Sequence, residues 1–236
     1  MRYIYGPVRS RRLGLSLGVS LTTHKTCSFD CVYCQLGKTT LLTQERKNYI
    51  NTDEILSELK GFLRNNVQPC DYISLSGYGE PLLNTGIQKL IRGIKGFTSI
   101  PVVLITNASL LIEPAARQDV LEVDLLVPSL DAVTQDVFEK IDRPAPGIKI
   151  EDILSGLIAL RGEFKGRIYL EIMLVKDIND SLVYAAKFKE AIARINPDKI
   201  QLNIPVRSTV EAWVRPPEKE RSREIKALLR DKCEII

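Results

Sequence analysis

Six short runs rich in apolar residues are separated along this chain by segments of helical periodicity. They cover residues 13–21, 72–76, 102–106, 125–129, 168–175 and 199–204. A strand that is apolar throughout must be covered on both faces, which is the condition of a parallel sheet flanked by helices. The intervening segments supply those helices. Residues 52–63 follow Asn51, carry Glu54 three positions after that cap, and place Ile55, Leu56, Leu59 and Leu63 on one face. Segments 85–95, 114–120, 148–163, 181–194 and 217–229 fill the other crossovers, and the last opens on prolines, which suit a first helical turn. Six strand–helix units in 236 residues match the spacing of βαβ repeats and leave no place for a domain boundary. The pattern reads as α/β, with residues 1–236 in a single domain.

Composition narrows the setting more than the function. An apolar share of 44% with 26% charged residues is that of an ordinary globule, and a net charge of +4 permits an anionic partner without requiring one. No apolar h-region follows Arg2, and no apolar run approaches the roughly 18 residues of a membrane span. Cysteines without secretory features point to a reducing compartment, so the expected location is cytoplasmic, with no membrane partner.

Three of the five cysteines, Cys27, Cys31 and Cys34, fall within eight residues. Thiolates are soft ligands, so zinc, iron–sulfur and copper all come into consideration. Structural zinc needs a fourth ligand from His24, Cys70 or Cys233. Cys70 precedes the second strand, at the opposite end from the cysteine loop and roughly 17–23 Å away along a parallel strand. His24 is not excluded by distance, but a single CxxC pair is half of the usual zinc pattern. An iron–sulfur cube held by three cysteines leaves one iron open to a chelating ligand. A second motif, Gly77-Tyr78-Gly79-Glu80-Pro81, ends the second apolar run. Functional loops of parallel sheets gather at that end, and its glycines permit close backbone approach to a ligand. Alone, it is equally an ordinary strand-to-helix turn.

Together these motifs resemble the radical S-adenosylmethionine superfamily. Cys27, Cys31 and Cys34 have its CxxxCxxC spacing, with Tyr33 as the aromatic before the third cysteine, and Gly77 to Pro81 resembles its GGEP motif with Tyr78 inserted. The stretch 5–37 is also similar to a prokaryotic group of Fe–S oxidoreductases, distantly related to wybutosine-synthesis and molybdenum-cofactor enzymes. The resemblance implies a partial (β/α)6 TIM-like barrel, with a cluster loop at 22–37 and a short C-terminal helix at about 217–230. It implies one [4Fe-4S] cluster on Cys27, Cys31 and Cys34, with S-adenosyl-L-methionine as the second cofactor. That cofactor would be cleaved reductively, giving a 5′-deoxyadenosyl radical that abstracts hydrogen from a substrate. Gly77, Tyr78, Gly79 and Glu80 would bind the methionine ammonium, and the Tyr33 carbonyl would face the adenine. The electron would come from a donor such as ferredoxin or flavodoxin. The substrate class stays open among small molecules, RNA and protein, with similarity leaning to a nucleoside or tRNA. Activation of a partner protein by forming a glycyl radical is an alternative, as is a non-catalytic zinc-stabilised module that binds RNA or protein.

Other residues are placed by their strand ends. Asn107, Ser129 and Asp131 fit contacts to ribose or substrate and equally fit turns and caps. Glu171, a carboxylate in an apolar strand, either points into the barrel beside the cofactor or is neutralised by an arginine. Asn203 and Arg207 flank the end of the sixth strand, where Arg207 suits a carboxylate, a phosphate or a rim salt bridge. Arg9, Arg11 and Arg12, with Lys38, Arg46 and Lys47, form either a positive mouth for an anionic substrate or a solvated face. Segment 37–49 reads as a cover over the site or as a plain solvent loop. Asp124 and Asp142 read as turn residues. No C-terminal cysteine-rich extension is expected, nor a flavodoxin, cobalamin or RNA-binding domain.

Overall fold

The apolar runs form strands in the computed structural model, which describes residues 1–65, 70–230 and 232–236. The first half of the chain contains β1 (Ile4–Ser10), β2 (Gly14–Ser20), β3 (Thr26–Cys27), β4 (Leu41–Leu42), α1 (Thr52–Asn65), β5 (Tyr72–Ser76), α2 (Ile87–Lys95), β6 (Val102–Thr106) and α3 (Pro114–Gln118). The second contains β7 (Leu125–Pro128), α4 (Gln135–Ile141), α5 (Ile150–Glu163), β8 (Arg167–Met173), α6 (Leu182–Ile195), β9 (Lys199–Asn203), α7 (Lys219–Leu229) and β10 (Cys233–Ile235). Eight strands form one sheet in the order β1-β2-β5-β6-β7-β8-β9-β10. Every pairing from β2 to β10 is parallel, and β1 alone runs antiparallel, against β2. With helices flanking a curved sheet that ends on β1 and β10, this is a partial barrel.

Burial explains the residue pattern of the strands. Leu17, Val19, Ile73, Leu75, Val102, Leu104 and Leu126 pack outward into the cluster that includes Ile55 and Leu59 of α1 and Ile87, Leu90 and Ile91 of α2. Val103, Leu125 and Val127 point the other way, into the lumen, where Leu13 packs on them as a plug. β6 and β7 are thus apolar on both faces, whereas β2 and β5 alternate, with Leu17, Val19, Ile73 and Leu75 in the outer cluster and Ser16, Ser74 and Ser76 lining the lumen cavity.

Among the described residues, five elements lie outside the sequence expectation, two of them the two-residue strands β3 and β4. β1 contains Gly6-Pro7, and its pairing with β2 shifts register between Tyr5 and Val8, so it lacks a strand's regular pattern. α4 is seven residues long and buries only Phe138 and Ile141, too short for helical periodicity to register. β10 has three residues. The C-terminal helix begins at Lys219 rather than 217. Among the described residues, no helix is long and apolar enough to cross a membrane.

Candidate active site

The cysteine loop leaves the C-terminal end of β2 and is laced to the segment that follows it. β3 pairs with β4 through Thr26–Leu41 and Cys27–Leu42, and Thr43 N–H donates to the Cys27 carbonyl at 3.0 Å. The Asp30 carboxylate accepts from Thr39 N–H at 2.6 Å, and the Thr39 hydroxyl donates to the Phe29 carbonyl at 2.7 Å. Lys25 is buried; its ammonium donates to the Gly37 carbonyl and lies 3.7 Å from Asp30. Segment 37–49 is therefore a brace for the cysteines rather than a free loop. Arg46 and Lys47 serve it locally, Arg46 on Asp119 at 2.6 Å and Lys47 on Glu45 at 2.8 Å, and neither lines the cavity described below.

Cys27, Cys31 and Cys34 are half-buried. Burial pushes the Cys27 thiol up to about 12, with Glu80 and Cys34 adding to the rise. Burial also holds Cys31 well above the thiol range, with Asp142, Cys27 and Cys34 contributing. The three sulfurs thus lie within electrostatic reach of one another. Asn107 Nδ2 donates to Cys27 Sγ at 3.5 Å, a contact that suits an electron-rich sulfur. The Cys31 thiol donates to Asp142 Oδ1 at 3.4 Å. Burial raises Asp142 in turn, and Asp131 raises it further. Asp142 is thus a member of the site, although its place before Arg143-Pro144 reads as a turn. Three soft thiols on one loop fit an iron–sulfur group, whose iron would take the place of the thiol protons. Among the described residues no three His, Cys, Asp or Glu side chains are gathered around one metal-sized point. Cys70 precedes β5, which is parallel to β2, and so stands at the far end of the sheet. His24 is exposed, with φ 53°.

The Gly77–Glu80 edge is fastened to the cysteine loop. Glu80 N–H donates to the Thr26 carbonyl at 3.1 Å, and Gly79 faces Thr26 so closely that a Cβ there would lie 1.7 Å from that carbonyl oxygen. Gly77 has φ 113°, and a Cβ on it would meet Ser20 at 2.5–2.8 Å. The Glu80 side chain departs from its expected role on the methionine ammonium. Its carboxylate is 2% exposed and accepts from Leu82 N–H at 3.0 Å, the Thr106 hydroxyl at 2.6 Å and Asn107 N–H at 2.7 Å. It caps the turn Pro81–Leu83 and ties it to the end of β6.

Burial raises Glu80 from 4.5 to about 7. A carboxyl that holds its proton more tightly when folded stabilises the fold fully below the unfolded value, and that contribution fades as pH rises through the folded one. The metal-free protein is therefore expected to lose about 3 kcal/mol of stability between pH 4.5 and 7 from this group. Glu80→Gln should flatten that part of the profile in denaturant titrations. An unchanged slope in the variant would refute the assignment.

Asn107, Ser129 and Asp131 do converge, with Tyr33, on one small cavity of about 10 Å³. Their polar groups are largely engaged internally. Asn107 Nδ2 also donates to Ser28 Oγ at 2.9 Å. Asp131 accepts the Tyr33 hydroxyl and Met173 N–H at 2.6 Å, and burial raises both Asp131 and Tyr33 above their ordinary values. Asp131 and Asn107 thus hold the cysteine loop against the strand ends, where ribose contacts were expected. Ser129 lies beside Glu171 in a strand bridge.

Glu171 is neutralised by an arginine rather than open to a cofactor. Arg12 pairs with it, donating from Nη2 at 3.1 Å, and Asn203 Nδ2 donates to the same oxygen at 3.1 Å. The β1–β2 turn thereby reaches across the lumen to β8 and β9. Glu171→Gln strands the Arg12 charge and is expected to cost about 2 kcal/mol in chemical denaturation, less than a fully buried pair because Arg12 keeps 24% of its side-chain exposure. Combining Arg12→Met with Glu171→Leu should recover most of the loss; a double variant weaker than the single would contradict this.

Arg9, Arg11, Arg12 and Arg207 line a single cavity of about 520 Å³ together with Cys34 and Gly77. Both motifs and the basic run therefore open on the same lumen. Tyr5 joins them: its ring lies over Gly18, and its hydroxyl is 2.7 Å from Ser76 Oγ. Nothing in the residue order marked Tyr5, because it lies in the irregular strand β1.

The family model described as "Radical SAM superfamily" matches residues 21–188. A Brachyspira hyodysenteriae protein named GTPase Obg is 42% identical over 232 residues, covering 98% of this chain and 34% of that one. A UPF0026 protein of Methanocaldococcus jannaschii is 34% identical over 232 residues, covering 98% of this chain and 72% of its own length. The chain therefore spans about a third of the first relative and under three quarters of the second. A radical SAM methyltransferase from Sphaerobacter thermophilus has the same fold at TM-score 0.70 and 18% identity, over 94% of this chain and 65% of that one.

Proposed function

The chain belongs to the Radical SAM superfamily, a superfamily of enzymes, and from that premise we propose that it cleaves S-adenosylmethionine reductively and abstracts hydrogen from a substrate held in the barrel lumen. The observation that carries the reading is the convergence of Cys34 and Gly77 on one cavity, because it gives the cluster loop and the glycine edge a common ligand space. When bound, a [4Fe-4S] cluster supplies the electron that splits the sulfonium and yields the 5′-deoxyadenosyl radical.

The chain's own residues do the holding. Cys27, Cys31 and Cys34 would ligate iron, Asn107 donates to Cys27 sulfur, and the brace of Lys25, Asp30 and Thr39 fixes the loop. The main chain at Gly77 and Tyr78 would receive the methionine end. Tyr33 would pack beside the adenine, held by Asp131. The apolar plug at Leu13 closes the lumen floor and keeps water from that side.

The test is anaerobic reconstitution followed by iron and sulfide analysis and electron paramagnetic resonance of the reduced protein. About four irons and four sulfides per chain are expected, with a spectrum that changes when S-adenosylmethionine is added. Stoichiometric zinc without sulfide would favour the non-catalytic module and defeat the reading.

A further inference from the structure

Among the described residues, three of the four guanidiniums that line the lumen form no ion pair with an acidic side chain. Arg12 is matched by Glu171. Arg11 donates to the Asn203 amide oxygen at 2.8 Å and to the main-chain oxygen of Ile236 at 2.9 Å. Arg207 donates to the Gln35 amide oxygen at 3.2 Å. The Arg9 guanidinium, on a residue whose main chain is paired with Leu15, makes neither a hydrogen bond nor an ion pair among the described residues. No Asp or Glu is among the described residues lining the cavity; its other polar groups include the Gln35 amide, the Cys34 thiol and the hydroxyls of Ser16, Ser74 and Ser76.

Like charges facing one space repel. Arg11, although exposed, is held below the ordinary guanidinium value first by partial desolvation, then by Arg12 and Arg207, with Glu171 opposing the shift. A chain carrying 33 basic and 29 acidic residues has ample carboxylates to neutralise such a cluster, and only Glu171 is used. The unmet positive potential is what an anionic ligand would satisfy. Guanidiniums also present paired N–H donors that match the oxygens of phosphate or carboxylate groups. At about 520 Å³ the cavity is of small-ligand size and too narrow for a folded protein or an RNA duplex. Cys34 and Gly77, the two positions that belong to the cofactor motifs, line the same cavity.

We propose that the lumen binds a small-molecule substrate through a multiply charged oxyanion, a phosphate or a pair of carboxylates, gripped by Arg9, Arg11 and Arg207, with the reacting carbon–hydrogen bond turned toward Cys34 and Gly77. The orientation rests on the proposed radical chemistry; the grip on the anion does not. Arg9, Arg11 and Arg207 are thus substrate-binding residues, and Arg12 is a positioning residue that anchors the β1–β2 turn on Glu171.

The experiment is calorimetric titration of the reconstituted protein with ribose 5-phosphate, ribose, glutarate and a short single-stranded RNA. Ribose 5-phosphate or glutarate should bind at least about tenfold more tightly than ribose and weaken as salt rises, and which of the two binds better identifies the oxyanion. Arg9→Gln and Arg207→Gln, both at exposed positions, should each weaken that binding about tenfold, and Arg207→Lys should restore part of it. Circular dichroism checks that the variants fold. Equal affinity for ribose and its phosphate, or affinity indifferent to both glutamine variants, overturns the proposal. So does tight RNA binding with no binding of either small anion. The same wild-type preparation is assayed for S-adenosylmethionine cleavage. Cleavage without anion binding defeats the anion site alone, and anion binding without cleavage defeats the radical reading alone.

Discussion

Cys31→Ala is expected to leave the reconstituted protein without a stable cluster and to lower S-adenosylmethionine cleavage by more than about 100-fold. Changes one shell out from a metal already cost about 10- to 100-fold, and the loss of a direct ligand exceeds that. The substitution has a second effect. It removes the thiol that donates to Asp142 and leaves a buried carboxyl next to a small void. Cys70→Ala is the matched control, since Cys70 stands at the opposite end of the parallel sheet. It should keep its full iron and sulfide content. Retention of the cluster by Cys31→Ala, or its loss in Cys70→Ala with the fold intact, would overturn the ligand set.

Gly79→Ala should also impair the site, without touching a ligand. A Cβ placed 1.7 Å from the Thr26 carbonyl oxygen cannot be accommodated by a rotamer change, because the obstacle is main chain. The bond from Glu80 N–H to Thr26 must break, and the glycine edge must move away from the cysteine loop. Overpacking of this kind costs about 1–3 kcal/mol or more, and here it is concentrated at the junction of the two motifs. The expected result is at least about a tenfold loss of affinity for S-adenosylmethionine, read by calorimetry, with lower iron retention. Gly61→Ala in α1 provides the contrast, because nothing lies within 4 Å of its added Cβ. It should stabilise the protein by about 0.5–1 kcal/mol. Equal behaviour of the two variants would refute the steric argument.

What could be read from the sequence follows from which forces act locally. The parallel strands were legible because Val102, Val103 and Leu104 are buried in succession, so periodicity reports two covered faces. β1 was not, since Gly6-Pro7 and the register shift remove the pattern. The cysteine spacing is a local property, and the loop it predicts is present. Partner identity is not local. A carboxylate within an apolar strand had to be matched, yet Arg12 stands 159 residues from Glu171 and only the folded sheet joins them. Glu80 shows the same limit in reverse: its residue type suits an ammonium, whereas Leu82, Thr106 and Asn107 occupy its oxygens. Asp142 and Lys25 carry no spacing signal at all. Their roles come from burial against Cys31 and Gly37. The arginines at the β1–β2 turn were open to two readings, because Arg9 and Arg11 are exposed and also line the lumen cavity, a combination that residue order does not reveal.

The most direct measurement of the central claim is product analysis after anaerobic reduction of the reconstituted protein with S-adenosylmethionine present. Equimolar 5′-deoxyadenosine and methionine, formed only when both reductant and cluster are supplied, is the predicted result. A protein with full iron and sulfide content that leaves S-adenosylmethionine intact under those conditions would contradict it.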